Sequence, residues 1–238
     1  MISSARRSWR SLRQFVIDSN YRGIVLFRLR HSLLREPKYL FQPFNHTLQN
    51  RYPYLFQYAR ENLGHIADCR ILSFGCSTGE EVFSLRDYFP LAYIKGVDIN
   101  PRNIAKCKHR LASSSDDRII FELTETQLAE PAGSYDAIFC MAVFTHGELA
   151  RSAERCDHVI RFVDFESVMS DLERSLKVGG LLFLVQSSFR LRDTSLHRKF
   201  EVVLRSSGNS DPPVPIFDRN NHLLADAVHD EIAFRKIA

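Results

Sequence analysis

The sequence predicts an α/β fold: a mostly parallel seven-stranded sheet with helices on both faces, an antiparallel hairpin at one edge and a helical extension at the amino terminus. Two observations predict it. From residue 70 onwards, short apolar runs alternate with segments of helical periodicity, which is the pattern of parallel strands joined by crossover helices. The chain has 238 residues, 45% of them hydrophobic, which is enough for one such domain with a packed core.

Each element follows from its own local pattern. Apolar runs predict five strands, at residues 70–74, 93–97, 118–122, 135–140 and 181–185. Helical spacing predicts helices at 80–89, 101–111 and 164–177, and Val178-Gly179-Gly180 is expected to turn the chain into the fifth strand. Two more strand-like runs, residues 200–204 and 231–237, flank turn-forming residues and predict the antiparallel hairpin.

Residues 1–66 are predicted to form a separate helical extension, basic and rich in aromatic residues, ahead of a main domain at residues 67–238. Pro53 suits the first turn of a helix, and Gly64 suits the position just past its end. Two interpretations of the aromatic residues remain open. They form part of the core, or they form a lid over a pocket.

The net charge and the cysteine content bear on the binding partners and the cellular compartment of the protein. The net charge of +4 is mild and does not by itself indicate nucleic acid. The five cysteines are an odd number without a C-x-x-C pair, which indicates reduced thiols and a cytoplasmic protein. Residues 1–17 are rich in Ser and Arg and lack acids, which is typical of a solvated basic arm or of a mitochondrial transit peptide. Such an arm also allows peripheral contact with a membrane or nucleic acid.

A small-residue loop between the first strand and its helix predicts a ligand pocket. The stretch reads Ser73-Phe74-Gly75-Cys76-Ser77-Thr78-Gly79-Glu80-Glu81. Its glycines permit backbone angles that other residues resist, and the first N–H groups of the next helix point at a bound polar group. Asp98 ends the second strand, nineteen residues after Gly79, so its carboxylate is expected beside the loop, where it accepts hydrogen bonds from ribose hydroxyls.

The two carboxylates after the loop separate the possible adenosine ligands. A dinucleotide site needs G-x-G-x-x-G so that the helix start can approach a pyrophosphate, and this loop lacks it. Glu80 and Glu81 would repel a pyrophosphate, whereas they tolerate a ligand with a sulfonium and an ammonium group. The residues therefore favour S-adenosylmethionine over NAD.

Five motifs of this chain resemble, in order, those of the class I S-adenosylmethionine-dependent methyltransferases. They lie at residues 71–79, 96–99, 121–125, 135–140 and 176–182. The resemblance implies a Rossmann-like fold with S-adenosyl-L-methionine as cofactor. The cofactor-binding residues that it implies are Phe74, Gly75, Cys76, Ser77, Gly79, Glu80, Asp98, Ile99, Thr124, Glu125, Met141 and Ala142.

The loop departs from the common form of this family. Ser73 stands where an acid is common, and Ser77 replaces the middle glycine. Both residues are similar to the loop of the chemotaxis-receptor glutamate methyltransferases. The residues after the fourth strand, Met141 to Phe144, do not continue that similarity, so it concerns the loop alone.

His146, six residues past the fourth strand, is the predicted catalytic base, with Glu148 near it. The alternative is a loop histidine that touches only water. No metal site is predicted, because the histidines and acids show no ligand spacing.

The expected reaction is methyl transfer to an oxygen or nitrogen of a small-molecule or glycan-like acceptor. A basic loop with Arg190, Arg192, Arg198 and Lys199 allows an acidic acceptor. Two alternatives are methylation of a macromolecule (a protein carboxylate or RNA) and a non-catalytic cofactor-binding module.

Overall fold

The computed structural model describes residues 40–45, 47–114, 116–124, 130–149, 153–206 and 214–238. Its strands are β1 (Arg70–Phe74), β2 (Tyr93–Asp98), β3 (Ile119–Leu123), β4 (Tyr135–Met141), β5 (Leu176–Val185), β6 (Phe200–Arg205) and β7 (Glu231–Lys236). Its helices are α1 (Pro53–Leu63), α2 (Glu80–Tyr88), α3 (Pro101–Ala112) and α4 (Phe162–Ser175), and short 3₁₀ turns occupy Leu191–Asp193 and His197–Lys199. The predicted elements from residue 53 onwards are confirmed, with ends that differ by a few residues.

The seven strands form one sheet in the order β3-β2-β1-β4-β5-β7-β6. Strands β1 to β5 are parallel, and β7 runs antiparallel to both β5 and β6. This confirms the predicted fold class, including the antiparallel edge hairpin. The strand order reverses between β1 and β4, and ligands of open α/β sheets bind beyond the carboxyl ends of the strands at such a switch point.

Two apolar cores cover the two faces of the sheet. Because successive strand residues point to opposite faces, neighbours in β1 separate: Ile71 packs with α1, α2 and α3, whereas Leu72 packs with α4. On the first face, Phe139 of β4 and Phe183 of β5 stack with ring centroids 4.4 Å apart. α1 buries Leu55 fully in this same core. The predicted domain boundary after residue 66 stays a prediction.

The predicted turn at Val178-Gly179-Gly180 is wrong. β5 begins at Leu176 and continues through both glycines, and the pairing with β4 shifts between Tyr135 and Ala137. The glycines therefore form an irregularity inside the strand. Gly179 has a φ of +84°, which an L side chain rarely adopts. The buried Lys236 ammonium donates to the backbone carbonyls of Glu173 and Leu176, which holds the end of α4 and the start of β5 together.

The sequence predictions for the amino-terminal arm, the transit peptide and its membrane or nucleic-acid contacts concern residues 1–39, which lie outside the described residues. Within the described ranges, no helix has both the length and the apolar character needed to cross a bilayer.

Candidate functional site

A cavity of about 300 Å³ lies at the carboxyl ends of the parallel strands, at the switch point between β1 and β4. Nine of the predicted cofactor residues line it: Phe74, Gly75, Cys76, Ser77, Asp98, Ile99, Thr124, Met141 and Ala142. Residues from four different strand ends therefore meet in one space, as the parallel arrangement predicts.

Gly79 and Glu80 do not line the cavity. Gly79 is the N-cap of α2 with a φ of +93°, and a Cβ there would lie 3.1 Å from the Cys107 Sγ. Its observed role is therefore in backbone geometry and packing. The Glu80 carboxylate accepts a hydrogen bond from the Thr78 hydroxyl at 2.7 Å. Glu125 lies outside the described residues, and cofactor contacts of these three residues stay predictions.

The two residues predicted for catalysis also lie outside the lining of the cavity. His146 is buried, and its Nδ1 accepts a hydrogen bond from the Glu148 backbone N–H at 3.2 Å. Its ring packs edge-on against Phe44, with centroids 6.2 Å apart. His146 is thus packed inside the protein and is not a loop histidine in contact with water alone. The catalytic roles of His146 and Glu148 stay predictions.

Asp98 is held in place by three hydrogen bonds. Its Oδ2 accepts from the Ser77 N–H at 2.9 Å, and its Oδ1 accepts from the Asn100 N–H at 2.8 Å and the Asn103 side-chain amide at 3.0 Å. Burial raises the pKa of Asp98, and these hydrogen bonds lower it in part. Each carboxylate oxygen can accept two hydrogen bonds, so Oδ2 retains capacity for a ribose hydroxyl.

Glu81, and not Glu80, is the carboxylate of this pair that lines the cavity. Its Oε1 accepts a hydrogen bond from the buried Ser73 hydroxyl at 2.7 Å. Burial raises the pKa of Glu81 to about 7, against the opposing effects of the Ser73 hydrogen bond and the charge of Arg51. Ser73, which departs from the common family motif, therefore positions a second acid beside the loop.

Three non-glycine residues with positive φ follow β1, β4 and β5 and line the cavity: Ser77 at 51°, Ala142 at 58° and Gln186 at 49°. Left-handed backbone costs an L residue roughly 1–2 kcal/mol. Such strain concentrates at binding and catalytic sites, where the surrounding structure enforces it. The positive φ angles of these three residues thus lower the stability of the fold, which favours a functional role for the cavity.

Replacing Ala142 by glycine is expected to raise the free energy of unfolding by about 1 kcal/mol, because glycine adopts this backbone conformation without a Cβ clash. Urea denaturation measures the change. The matched control is Ala105→Gly on the exposed side of α3, which should lower the free energy by about 1 kcal/mol, since glycine disfavours helix interiors. Equal losses in both variants would show that Ala142 carries no strain.

Segment 40–52, described except for residue 46, forms the roof of the cavity. It is fastened to α3 by a reciprocal side-chain amide pair between Asn45 and Asn103, at 2.8 and 3.0 Å. The Asn50 N–H donates to the Ser84 hydroxyl of α2 at 2.8 Å. Phe41 packs in the core against Phe144 and also lines the cavity, as does the partly buried Phe44. The aromatic residues therefore serve as both core and lid.

Arg51, Gln186 and Asp171 also line the cavity, and the sequence predictions missed all three. Gln186 directly follows the predicted fifth strand, so the strand-end rule that found Asp98 applies to it as well. Asp171 interrupts the apolar face of α4 three residues after Val168, which is a detectable break in the helical pattern. Arg51 lies ahead of the first strand, and no local pattern marks it.

Two buried polar atoms in the lining are suited to hydrogen-bond an adenosyl amino acid. The Ser77 Oγ and the Gln186 Nε2 have no hydrogen-bond partner among the described residues, and an unpaired buried polar atom costs about 1–3 kcal/mol. The lining also contains the carboxylates of Asp98 and Glu81, which suit hydroxyl and ammonium groups, and the guanidinium of Arg51, which suits a carboxylate. These groups match the chemistry of S-adenosylmethionine. In the same described ranges, no three side chains are grouped to hold a metal ion.

The basic loop after β5 lies away from the cavity lining. Arg190 pairs with Asp193 at 2.7 Å, and Lys199 pairs with Glu173 at 2.9 Å. Arg192 pairs with Asp230 at 2.9 Å. Three of the four cations expected to attract an acidic acceptor thus form ion pairs with acids of this chain.

Comparison with known proteins agrees with this geometry. The family described as "Methyltransferase domain" matches residues 72–184, which include β2 with Asp98, β3, β4 and most of β1 and β5. No match is found among curated proteins.

Solved structures from several organisms are similar to this chain. Phosphoethanolamine N-methyltransferase 2 of Haemonchus contortus is 17% identical, with a TM-score of 0.45, over 73% of this chain and 34% of that chain. The YcgJ protein of Bacillus subtilis is 18% identical, with a TM-score of 0.42, over 56% and 50%. Geranyl diphosphate C-methyltransferase of Streptomyces coelicolor is 17% identical, with a TM-score of 0.40, over 55% and 44%.

This chain thus matches half or less of the length of each of these structures. The family match covers residues 72–184, which contain Asp98 and the strands β2, β3 and β4. These residues form a methyltransferase domain.

Proposed function

We propose that the protein transfers a methyl group from S-adenosyl-L-methionine to an oxygen or nitrogen of a small-molecule or glycan-like acceptor. The observation that carries the proposal is the roofed cavity at the switch point, with Asp98 and Glu81 in its wall. The bound cofactor supplies an electrophilic methyl group on a sulfonium. The protein supplies positioning and exclusion of water, which account for much of the catalysis in displacements of this kind.

The ribose and the amino-acid part of the cofactor each have a complementary side chain in the lining. Asp98 accepts from the ribose hydroxyls, Glu81 faces the ammonium and sulfonium, and Arg51 holds the carboxylate. The unpaired Ser77 hydroxyl and Gln186 amide supply further hydrogen bonds. These assignments place one negative group, Glu81, where the ligand carries positive charge, and the one guanidinium in the described lining where it carries negative charge.

The roof favours a small acceptor over a macromolecule. Segment 40–52 crosses the cavity and is fastened on both α2 and α3, so an acceptor has to be enclosed beneath it. A protein side chain or an RNA base would have to pass this segment before reaching the β4 end.

We expect the affinity for S-adenosylhomocysteine to rise about tenfold between pH 5.5 and pH 8.5, because Glu81 loses its proton in this range and then attracts the ligand ammonium. Glu81→Gln should remove this dependence. Isothermal titration at both pH values measures it, and Glu61→Gln on the exposed face of α1 is the control. Absence of binding at millimolar ligand would refute the proposed function, whereas pH-independent binding would refute only the role of Glu81.

The same titration affects stability with the opposite sign. A carboxyl whose pKa is higher in the folded state binds more protons when folded, so the free energy of unfolding falls as pH rises. For Glu81 this fall is expected between about pH 4.5 and 7 in the protein without ligand, and it should be absent in Glu81→Gln.

A further inference from the structure

Asp171 is a carboxylate in the cavity that the cofactor contacts leave unused. It lies on α4, three residues after Val168, and both side chains line the cavity. The other carboxylates have partners: Glu81 accepts from Ser73, and Asp98 accepts three hydrogen bonds. The Asp171 carboxylate makes no hydrogen bond or ion pair to another side chain that the structure describes, and burial raises its pKa while the charge of Arg174 lowers it.

The wall around Asp171 is apolar. Phe41 and Val168 belong to one apolar cluster, against which Val143 packs, and all three line the cavity. This wall is formed by the roof, the residues after β4 and α4, whereas the cofactor loop and Asp98 follow β1 and β2. This apolar end of the cavity, defined by Phe41, Val143, Val168 and Asp171, adjoins the cofactor loop, because a Cβ on Gly75 would lie 2.5 Å from the Val143 Cγ2.

Charge decides which acceptor suits this end. A partly desolvated carboxylate without a partner is costly, and a ligand cation removes that cost. An anionic acceptor would meet three carboxylates, those of Glu81, Asp98 and Asp171, and Arg51 is the one cationic side chain in the described lining. Phenylalanine rings such as that of Phe44 also attract cations.

We infer that this wall is an acceptor subsite for a small molecule with an apolar body and an ammonium group, and that Asp171 is its counter-ion. The inference rests on the proposed function and narrows the acceptor to an amine. The ammonium form binds beside Asp171, and the apolar part packs against Phe41, Val143 and Val168. Transfer requires that the ammonium first give a proton to Asp171; the neutral nitrogen then forms a bond to the methyl carbon as the bond from that carbon to the sulfonium sulfur breaks.

The test compares three probes of equal chain length, hexylamine, 1-hexanol and hexanoate, by ligand-observed NMR with the protein saturated in S-adenosylhomocysteine. The wild-type protein should bind hexylamine at least tenfold more tightly than 1-hexanol, and hexanoate most weakly. Asp171→Asn should weaken hexylamine binding at least tenfold and leave 1-hexanol within twofold. The matched control is Asp87→Asn, an exposed carboxylate of α2 outside the cavity, which should change neither.

The outcomes separate this inference from the function on which it rests. Absence of S-adenosylhomocysteine binding in the wild-type protein overturns both. If S-adenosylhomocysteine binds but hexylamine shows no preference, or keeps its preference in Asp171→Asn, the acceptor subsite is overturned and the methyltransferase function stands. A tenfold loss of S-adenosylhomocysteine affinity in Asp171→Asn also overturns it, because Asp171 would then serve the cofactor.

Discussion

Replacing Asp98 by alanine is expected to weaken S-adenosylhomocysteine binding on the order of 100-fold, because hydrogen bonds to a charged group are worth about 1.5–3 kcal/mol. Two effects combine. The ribose loses its acceptor, and the Ser77 N–H, the Asn100 N–H and the Asn103 amide lose the carboxylate that positions them. Isothermal titration at pH 7.5 measures the loss.

Two further variants make this result specific. Asp98→Asn keeps one side-chain oxygen and should fall between the wild type and Asp98→Ala. Asp87→Ala, on the exposed surface of α2, should bind as the wild type does. An affinity within threefold of the wild type in Asp98→Ala would remove Asp98 from the ribose role.

Replacing Gly75 by alanine is expected to lower the free energy of unfolding by about 3 kcal/mol, the sum of a positive-φ cost and an overpacking cost. Gly75 has a φ of +74°, and a Cβ built on it would lie 2.5 Å from the Val143 Cγ2. Either this clash moves the loop or it moves the residues after β4, so cofactor binding should weaken as well. Urea denaturation measures the stability.

The double variant Gly75→Ala/Val143→Ala separates the two costs. Removing both Cγ atoms of Val143 leaves its Cβ, at 3.5 Å, as the nearest neighbour, which is an ordinary contact. The double variant should therefore recover about half of the loss, relative to Val143→Ala alone, and retain the part due to φ. No recovery would show that the steric contact with Val143 is unimportant.

Local patterns were sufficient for most of the fold. Strands at the sheet centre are buried on both faces and read as continuous apolar runs, so β1 is predicted with its observed bounds. Pro53 and Gly64 mark both ends of α1, because one fits the first helical turn and the other follows the last. Asp98 was found because parallel strands end at the same edge of the sheet.

Local sequence patterns failed where contacts between residues far apart in the sequence determine the structure. Gly179 and Gly180 suggest a turn, but β5 pairs with β4 on both sides of them, at Leu176 and again from Leu181, and the strand runs through them as an irregularity. Glu80 and Glu81 are adjacent in sequence and differ by about 100° around a helix. Which of them enters the cavity depends on how α2 packs on the sheet, where the Ser73 hydroxyl meets Glu81.

The sequence by itself determined the α/β class, the loop after β1 and an adenosine ligand, because periodicity and strand-end chemistry are local properties of the chain. Only the tertiary structure decided which acid faces that ligand, that segment 40–52 roofs the cavity and that Asp171 of α4 shares it. The physical reason is that helix orientation and the path of a roof segment are set by packing between residues far apart in sequence, as between Asn45 and Asn103.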